Sequence, residues 1–198
     1  MSHLLVKAVG ALFIASSTVA VVGTANAQSL RNFTPGTTLI MSPKGKNPVP
    51  GTAMISYGPV TDLSQIVAIE RVYLPGWPLV GPSGDYPVRL RFPNDGNQCA
   101  STAGGVAGGG FKDGTAVILW PCYNTDDQLW DMNPAGQTDS EGHSCYYFTN
   151  RAALLWGDST HKNEALGIAG GSKNPGASLI LWFNFVNPVS HPDQLWCF

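Results

Sequence analysis

Ala107–Trp120 reads AGGGFKDGTAVILW, and Ala169–Trp182 reads AGGSKNPGASLILW; the two align without gaps at an offset of 62 residues. Each runs on to Asp-Gln-Leu-Trp, at Asp127–Trp130 and Asp193–Trp196. A third, more diverged copy lies upstream. Gly51–Val67 (GTAMISYGPVTDLSQIV) aligns with Gly114–Trp130 (GTAVILWPCYNTDDQLW) at an offset of 63. Gly51, Thr52, Ala53, Ile55 and Gln65 are identical to Gly114, Thr115, Ala116, Ile118 and Gln128, and Tyr57 stands where Trp120 stands. The aromatic precedes the Gln by eight residues in copies one and two and by twelve in copy three, so the last loop is longer. Chance similarity between Gly-rich loops explains one Ala-Gly-Gly match. It does not explain an aromatic and a Gln recurring in step, and such internal repetition constrains the architecture to three similar units.

The repeats read as strands. Val117-Ile118-Leu119-Trp120 and Leu179-Ile180-Leu181-Trp182 are short apolar runs bounded by turn residues, as buried strands are. Ile66–Leu74 is apolar and β-branched and reads as a further strand. Arg151–Trp156 (RAALLW) is the one stretch of helix-like composition, and it is too short to stand alone. With 23 Gly and 15 Pro in 198 residues and only 12% charged residues, the composition suits short strands joined by tight turns. A hydrophobic share of 43%, including six Trp, excludes a disordered chain.

Residues 1–27 read as a secretory signal peptide: Lys7 is the positive n-region, Ala8–Gly23 an uncharged apolar run, and Ala25-Asn26-Ala27 the cleavage pattern. That run is too short for a comfortable membrane span, and no later stretch is long enough for one. Cleavage after Ala27 leaves 171 residues, 28–198, one ordinary domain. Ten basic and thirteen acidic groups remain, net −3, which gives no electrostatic reason to bind nucleic acid or an anionic membrane. The expected location is secreted, extracellular. Cys99, Cys122, Cys145 and Cys197 all lie in this domain and read as two disulfides, with three pairings open. No Cys/His spacing suits zinc, and no metal or cofactor is expected.

The run Leu119-Trp120-Pro121-Cys122, followed by Gln128-Leu129-Trp130, resembles the ricin-type lectin repeat with its Q-x-W motif. The resemblance covers nearly the whole of residues 28–198. It implies an all-β protein, a β-trefoil of twelve strands in three diverged four-stranded repeats, roughly 28–70, 71–133 and 134–198. It also implies a disulfide Cys99–Cys122 within the second repeat. In copy three, Ala165 and Asn184 replace both partners together. A second bond, Cys145–Cys197, would then join the first and last strands of the third repeat.

In ricin-type sites a sugar stacks on the aromatic that ends the third strand, while an Asp near the second strand and an Asn-Gln pair hold its hydroxyls. A pyranose offers an apolar face to an indole, and its hydroxyls need directional amide or charged partners. The resemblance therefore nominates Trp120, Trp182 and Tyr57 as platforms and Gln128, Gln194 and Gln65 beside them. Asp127 and Asp193 precede the Gln where the family has Asn, and Ser64 does so in copy one. The second-strand Asp is missing, with Ser101 and Gly167 near its place, and Asp127 and Asp193 are candidates to replace it. Two roles stay open for the glutamines, sugar ligand or clamp on loop backbone, and two for Trp120 and Trp182, platform or core. Trp130 and Trp196 read as core.

Enzyme motifs are incomplete. Gly157-Asp158-Ser159 resembles the start of some esterase motifs, but His191-Pro192-Asp193 has the wrong order for its partner. Gly142-His143-Ser144-Cys145-Tyr146 lacks the last Gly of a nucleophile elbow. Gly104–Gly110 is not followed by Gly-Lys-Ser/Thr, so it is no phosphate loop. No carboxylate pairing marks a glycosidase. The expected function is non-enzymatic binding of glycans or glycoconjugates. A second reading is a binding or delivery subunit, loosely similar to those of cytolethal distending toxins, with a protein partner met by Trp77 and Trp156. A third is a Kunitz-type trefoil protease inhibitor, whose length fits but to which the Q-x-W motifs do not belong.

Overall fold

Each repeat opens on a glycine with positive φ: Gly51 (91°), Gly114 (79°) and Gly176 (91°). A side chain there would be strained, which accounts for Gly recurring at this point of the repeat. The turn also aims an N–H outward. Gly51 donates to Leu119 O, Gly114 to Leu181 O and Gly176 to Ser56 O. Leu119 N, Leu181 N and Ser56 N return bonds to Thr52, Thr115 and Ala177. Bridges Ala53–Ile118, Ala116–Ile180 and Ile55–Ser178 complete the same cycle. Copy one thus pairs with two, two with three, and three with one.

The computed structural model describes residues 27–45, 48–61, 63–73, 86–183 and 191–198. The first unit holds β1 (Ala27–Gln28), β2 (Arg31–Asn32), β3 (Ile40–Pro43), β4 (Met54–Tyr57) and β5 (Val67–Arg71). The second holds β6 (Val88–Phe92), β7 (Gln98–Thr102), β8 (Val117–Pro121) and β9 (Trp130–Thr138). The third holds β10 (Ser144–Asn150), α1 (Arg151–Trp156), β11 (Glu164–Ile168), β12 (Leu179–Phe183) and β13 (Trp196–Cys197). The hairpins β3–β4, β7–β8 and β11–β12 form the three-fold cycle. The outer strands run β5–β6–β9–β10–β13–β2, and β1 pairs back onto β5, so the ring closes and leaves no long edge. Most of the expected signal peptide, Leu74, Trp77 and Asn184 lie outside the described residues.

The core lies inside this ring. Leu30, Met54, Leu90, Phe92, Leu119, Trp130, Phe148, Leu181 and Trp196 are all sealed within it. Trp130 and Trp196 are core, as expected, and each indole N–H is satisfied in equivalent fashion, by Ala100 O at 3.3 Å and Leu166 O at 2.9 Å. The disulfides are Cys99–Cys122, with Cα atoms 5.1 Å apart, and Cys145–Cys197, at 4.0 Å. Cys145 and Cys197 are direct cross-strand partners on β10 and β13, so that bond ties the first to the last strand of the third repeat.

Two sequence expectations change. RAALLW does form a helix, because it does not stand alone. Asn150 caps its N-terminus by accepting from Ala152 N and Ala153 N, and donates to Asp127 O at 3.2 Å. Arg151, buried, pairs with Asp126 and donates its N–H to Leu129 O. The match of Ala169 with Ala107 is also out of register, whereas the alignment that sets Ala165 against Cys99 holds. Ala103 N bonds Ala116 O, and Ala169 N bonds Ser178 O, so Ala169 is equivalent to Ala103 and not to Ala107. Twelve residues separate the second pair of strand ends against eight in the third, and the copy-two loop is four residues longer.

Candidate functional site

Register places the three aromatics identically. Tyr57 lies opposite Ile40, Trp120 opposite Cys99 and Trp182 opposite Ala165. Strand alternation turns each outward from the core next to a buried Ser56, Leu119 or Leu181. They are 45%, 42% and 43% exposed. Of the two roles left open for Trp120 and Trp182, core packing is excluded.

The three glutamines resolve the other way. All are sealed from solvent and sit on one-turn 3-10 helices, Leu63–Gln65, Asp126–Gln128 and Pro192–Gln194. Gln128 accepts from Tyr123 N at 2.6 Å and donates to Pro121 O at 2.9 Å. Gln65 does the same with Val60 N (3.0 Å) and Gly58 O (2.8 Å), and Gln194 donates to Phe183 O at 2.9 Å. Their amides are spent on the loop that follows the aromatic. They hold the site in shape and are not ligands in this geometry, because a ligand cannot reach them.

Asp127 and Asp193, the residues before Gln128 and Gln194, turn toward their hairpins instead. Asp127 accepts from Ser101 Oγ at 2.7 Å, and its carboxylate lies against Gly105, whose φ is 55°. Asp193 takes the equivalent place in copy three, facing Gly167 and Gly171. Gly167 replaces Ser101, so Asp193 lacks the hydroxyl partner, and burial pushes its carboxyl above the usual carboxylate range despite backbone hydrogen bonding and nearby His191. Both carboxylates reach over the second strand of their repeat, at Ser101 and at Gly167. Copy one has Ser42 and Ser64 at these places and no carboxylate.

In copy two these groups enclose a shallow cavity of about 400 Å³, lined by Ser101, Gly105, Ile118, Trp120, Tyr123, Thr125 and Asp127 among others. Trp120 and Tyr123 bring aromatic rings to this cavity, and Asp127 with Ser101 brings hydrogen-bonding groups. Tyr123 and Thr125 were not anticipated from sequence; their position in the loop clamped by Gln128 is the signal that marks them. A second cavity of about 390 Å³ lies between Asn32–Thr38 and Thr138–Glu141, spanned by the Arg31–Glu141 ion pair, and holds none of the anticipated residues.

No family model and no curated protein matches the chain. Solved structures do. The designed three-fold symmetric protein ThreeFoil aligns with a TM-score of 0.60 at 15% identity, over 85% of this chain and 95% of its own. The chain is a β-trefoil. The Rhizoctonia solani agglutinin is a similar β-trefoil, with a TM-score of 0.57 at 14% identity over 89% of this chain and 96% of its own. A mosquitocidal holotoxin aligns with a TM-score of 0.60 at 12% identity over 89% of this chain, but the trefoil spans only 17% of that protein. The fold is therefore shared with an agglutinin, over nearly its whole length, and with a small part of a larger toxin.

Proposed function

We propose that this protein is a secreted, non-catalytic lectin with sugar sites in its second and third repeats. The observation that carries this reading is the copy-two cavity: an indole half out of solvent shares it with a buried carboxylate that already holds one hydroxyl, Ser101 Oγ. An apolar ring face opposite a directional acceptor is the pairing a pyranose requires. Copy three repeats it with Trp182 and Asp193. Copy one keeps only Tyr57. Two sites on one rigid ring favour multivalent surfaces over free sugar. A single carboxylate among the residues lining the copy-two cavity supports binding over glycoside hydrolysis, which uses a pair. Two disulfides support an oxidising, extracellular setting. Among the described residues no helix is long and apolar enough to cross a membrane.

A glycan-array screen of the oxidised protein tests the proposal, beside Trp120→Ala, Trp182→Ala and the double variant. Each single variant is expected to melt like the parent and to lose array signal by about tenfold or more, since a stacked ring contributes on the order of 1 kcal/mol beyond its buried area and avidity multiplies the loss. The double variant should be silent. Parent protein that binds no glycan at any density refutes the reading and favours the delivery-subunit alternative, in which protein contacts carry the function.

A further inference from the structure

The copy-two cavity and an aromatic of the third repeat meet at two consecutive residues. Asp127 turns into the cavity. Asp126, its neighbour, lies beside the cavity lining and accepts the indole N–H of Trp156 at 2.9 Å. Asp126 is itself held by buried Arg151, the first residue of α1. Trp156 is thus pinned at its polar edge while the residue stays 58% exposed, more than any of the three repeat aromatics. With its one donor committed, the ring has only its apolar face to offer a ligand.

The segment that carries Trp156 is peculiar to the third repeat. Seven residues join β2 to β3 and five join β6 to β7, but thirteen join β10 to β11. The additional length folds as α1 and packs on the turn that bears Asp127, through the Asn150–Asp127 and Arg151–Leu129 bonds. Covalent geometry limits the separation: one Cα–Cα step, one Asp side chain and one hydrogen bond put the Trp156 nitrogen within about 10 Å of the Asp127 Cα. That is the reach of a short oligosaccharide that starts in the cavity.

We propose that Trp156 is a second stacking platform of the copy-two site, so that this site selects a neutral oligosaccharide over a single sugar. The inference rests on the reading of Trp120 and Asp127 as a sugar site. Neutrality follows from the lining, whose only charged side chain is the carboxylate of Asp127. An anionic sugar would meet like charge with no cation opposite it.

The test uses full-length oxidised protein and titrates neutral mono-, di- and tetrasaccharides, and one sialylated trisaccharide, against parent, Trp156→Ala, Trp156→Gln and Trp120→Ala. Trp156→Gln keeps a donor for Asp126 and removes the ring, so it stays informative if the Ala variant folds poorly. Parent should bind the best oligosaccharide at least about tenfold more tightly than its terminal monosaccharide. Loss of the ring should erase that margin and leave monosaccharide affinity unchanged. Equal affinity of parent and Trp156→Gln for the oligosaccharide, with Trp120→Ala inactive, overturns the role of Trp156 and leaves the underlying site standing. Preference for the sialylated probe, or glycoprotein binding that survives deglycosylation, also overturns it. A parent that binds none of the sugars defeats both readings together.

Discussion

Replacing Gln128 by Ala separates a clamp from a ligand. The side chain is sealed and makes two hydrogen bonds to main chain, at 2.6 Å to Tyr123 N and 2.9 Å to Pro121 O. Truncation leaves a donor and an acceptor without partners, each costing about 1–3 kcal/mol where water is excluded. Both groups lie at the edge of the loop, where water replaces part of what is lost, so the lower half of that range applies. The total is about 2–4 kcal/mol. For a domain of this size, 1 kcal/mol moves Tm by about 2–4 °C, so Gln128→Ala should melt roughly 5–15 °C below the parent. Differential scanning calorimetry without any sugar reads this directly. Trp120→Ala, which removes a half-exposed ring, is the control and should melt close to the parent. A Gln128→Ala protein that melts within about 1 °C of the parent yet fails to bind glycan would refute the clamp and make Gln128 a ligand.

Two further outcomes test the framework. Cys99→Ser opens a loop of 23 residues and should destabilise by about 3 kcal/mol on the chain-entropy account, seen as a lower Tm, and reduction of the parent, which opens both bonds, should lower it further; coincident melts of reduced and oxidised protein would contradict it. Burial pushes the Asp131 carboxyl up to about 7, against the opposing pull of Arg151 and with a contribution from the Asp126 charge. The folded protein therefore keeps a proton between about pH 4 and pH 7 that the unfolded chain has released, and stability falls as pH rises through that window, by up to about 1.4 kcal/mol per unit. Asp131→Asn cannot ionise and should flatten the slope in part. Sealed Glu164, pushed to about 9 by burial and the neighbouring carboxyl of Asp113, contributes a slope of the same sign that extends to higher pH. Urea melts at four pH values measure both, and an unchanged slope in Asp131→Asn would show that its proton is not held.

Much of this molecule was legible in one dimension. The turn glycine, the aromatic and the Gln recur in sequence because each copy must make the same positive-φ turn, the same cross-copy bond and the same loop clamp. Repetition, strand content and the expected core tryptophans follow from that. Glycine runs carried no such information. Any two Ala-Gly-Gly segments look alike: Ala169 matches Ala107 in one alignment and Ala103 in the alignment that sets Ala165 against Cys99, and strand pairing decides for Ala103. The helix of RAALLW was recognisable in composition, but its existence depends on Asn150, Arg151 and Asp126, partners that only packing supplies.

Sequence by itself determined that the chain repeats a strand-and-loop unit, where the strands ending at Trp120 and Trp182 fall, and which aromatics and carboxylates accompany them, because local turn chemistry and alternation are properties of neighbouring residues. It left the direction of side chains undecided. Asp126 and Asp127 are identical in type and adjacent in the chain; one faces Trp156 and Arg151, the other faces Ser101 and the cavity. Gln128, the next residue, points inward. That division is set by the short helical turn on which all three sit and by the neighbours that turn meets, which are brought together only when the ring of strands closes.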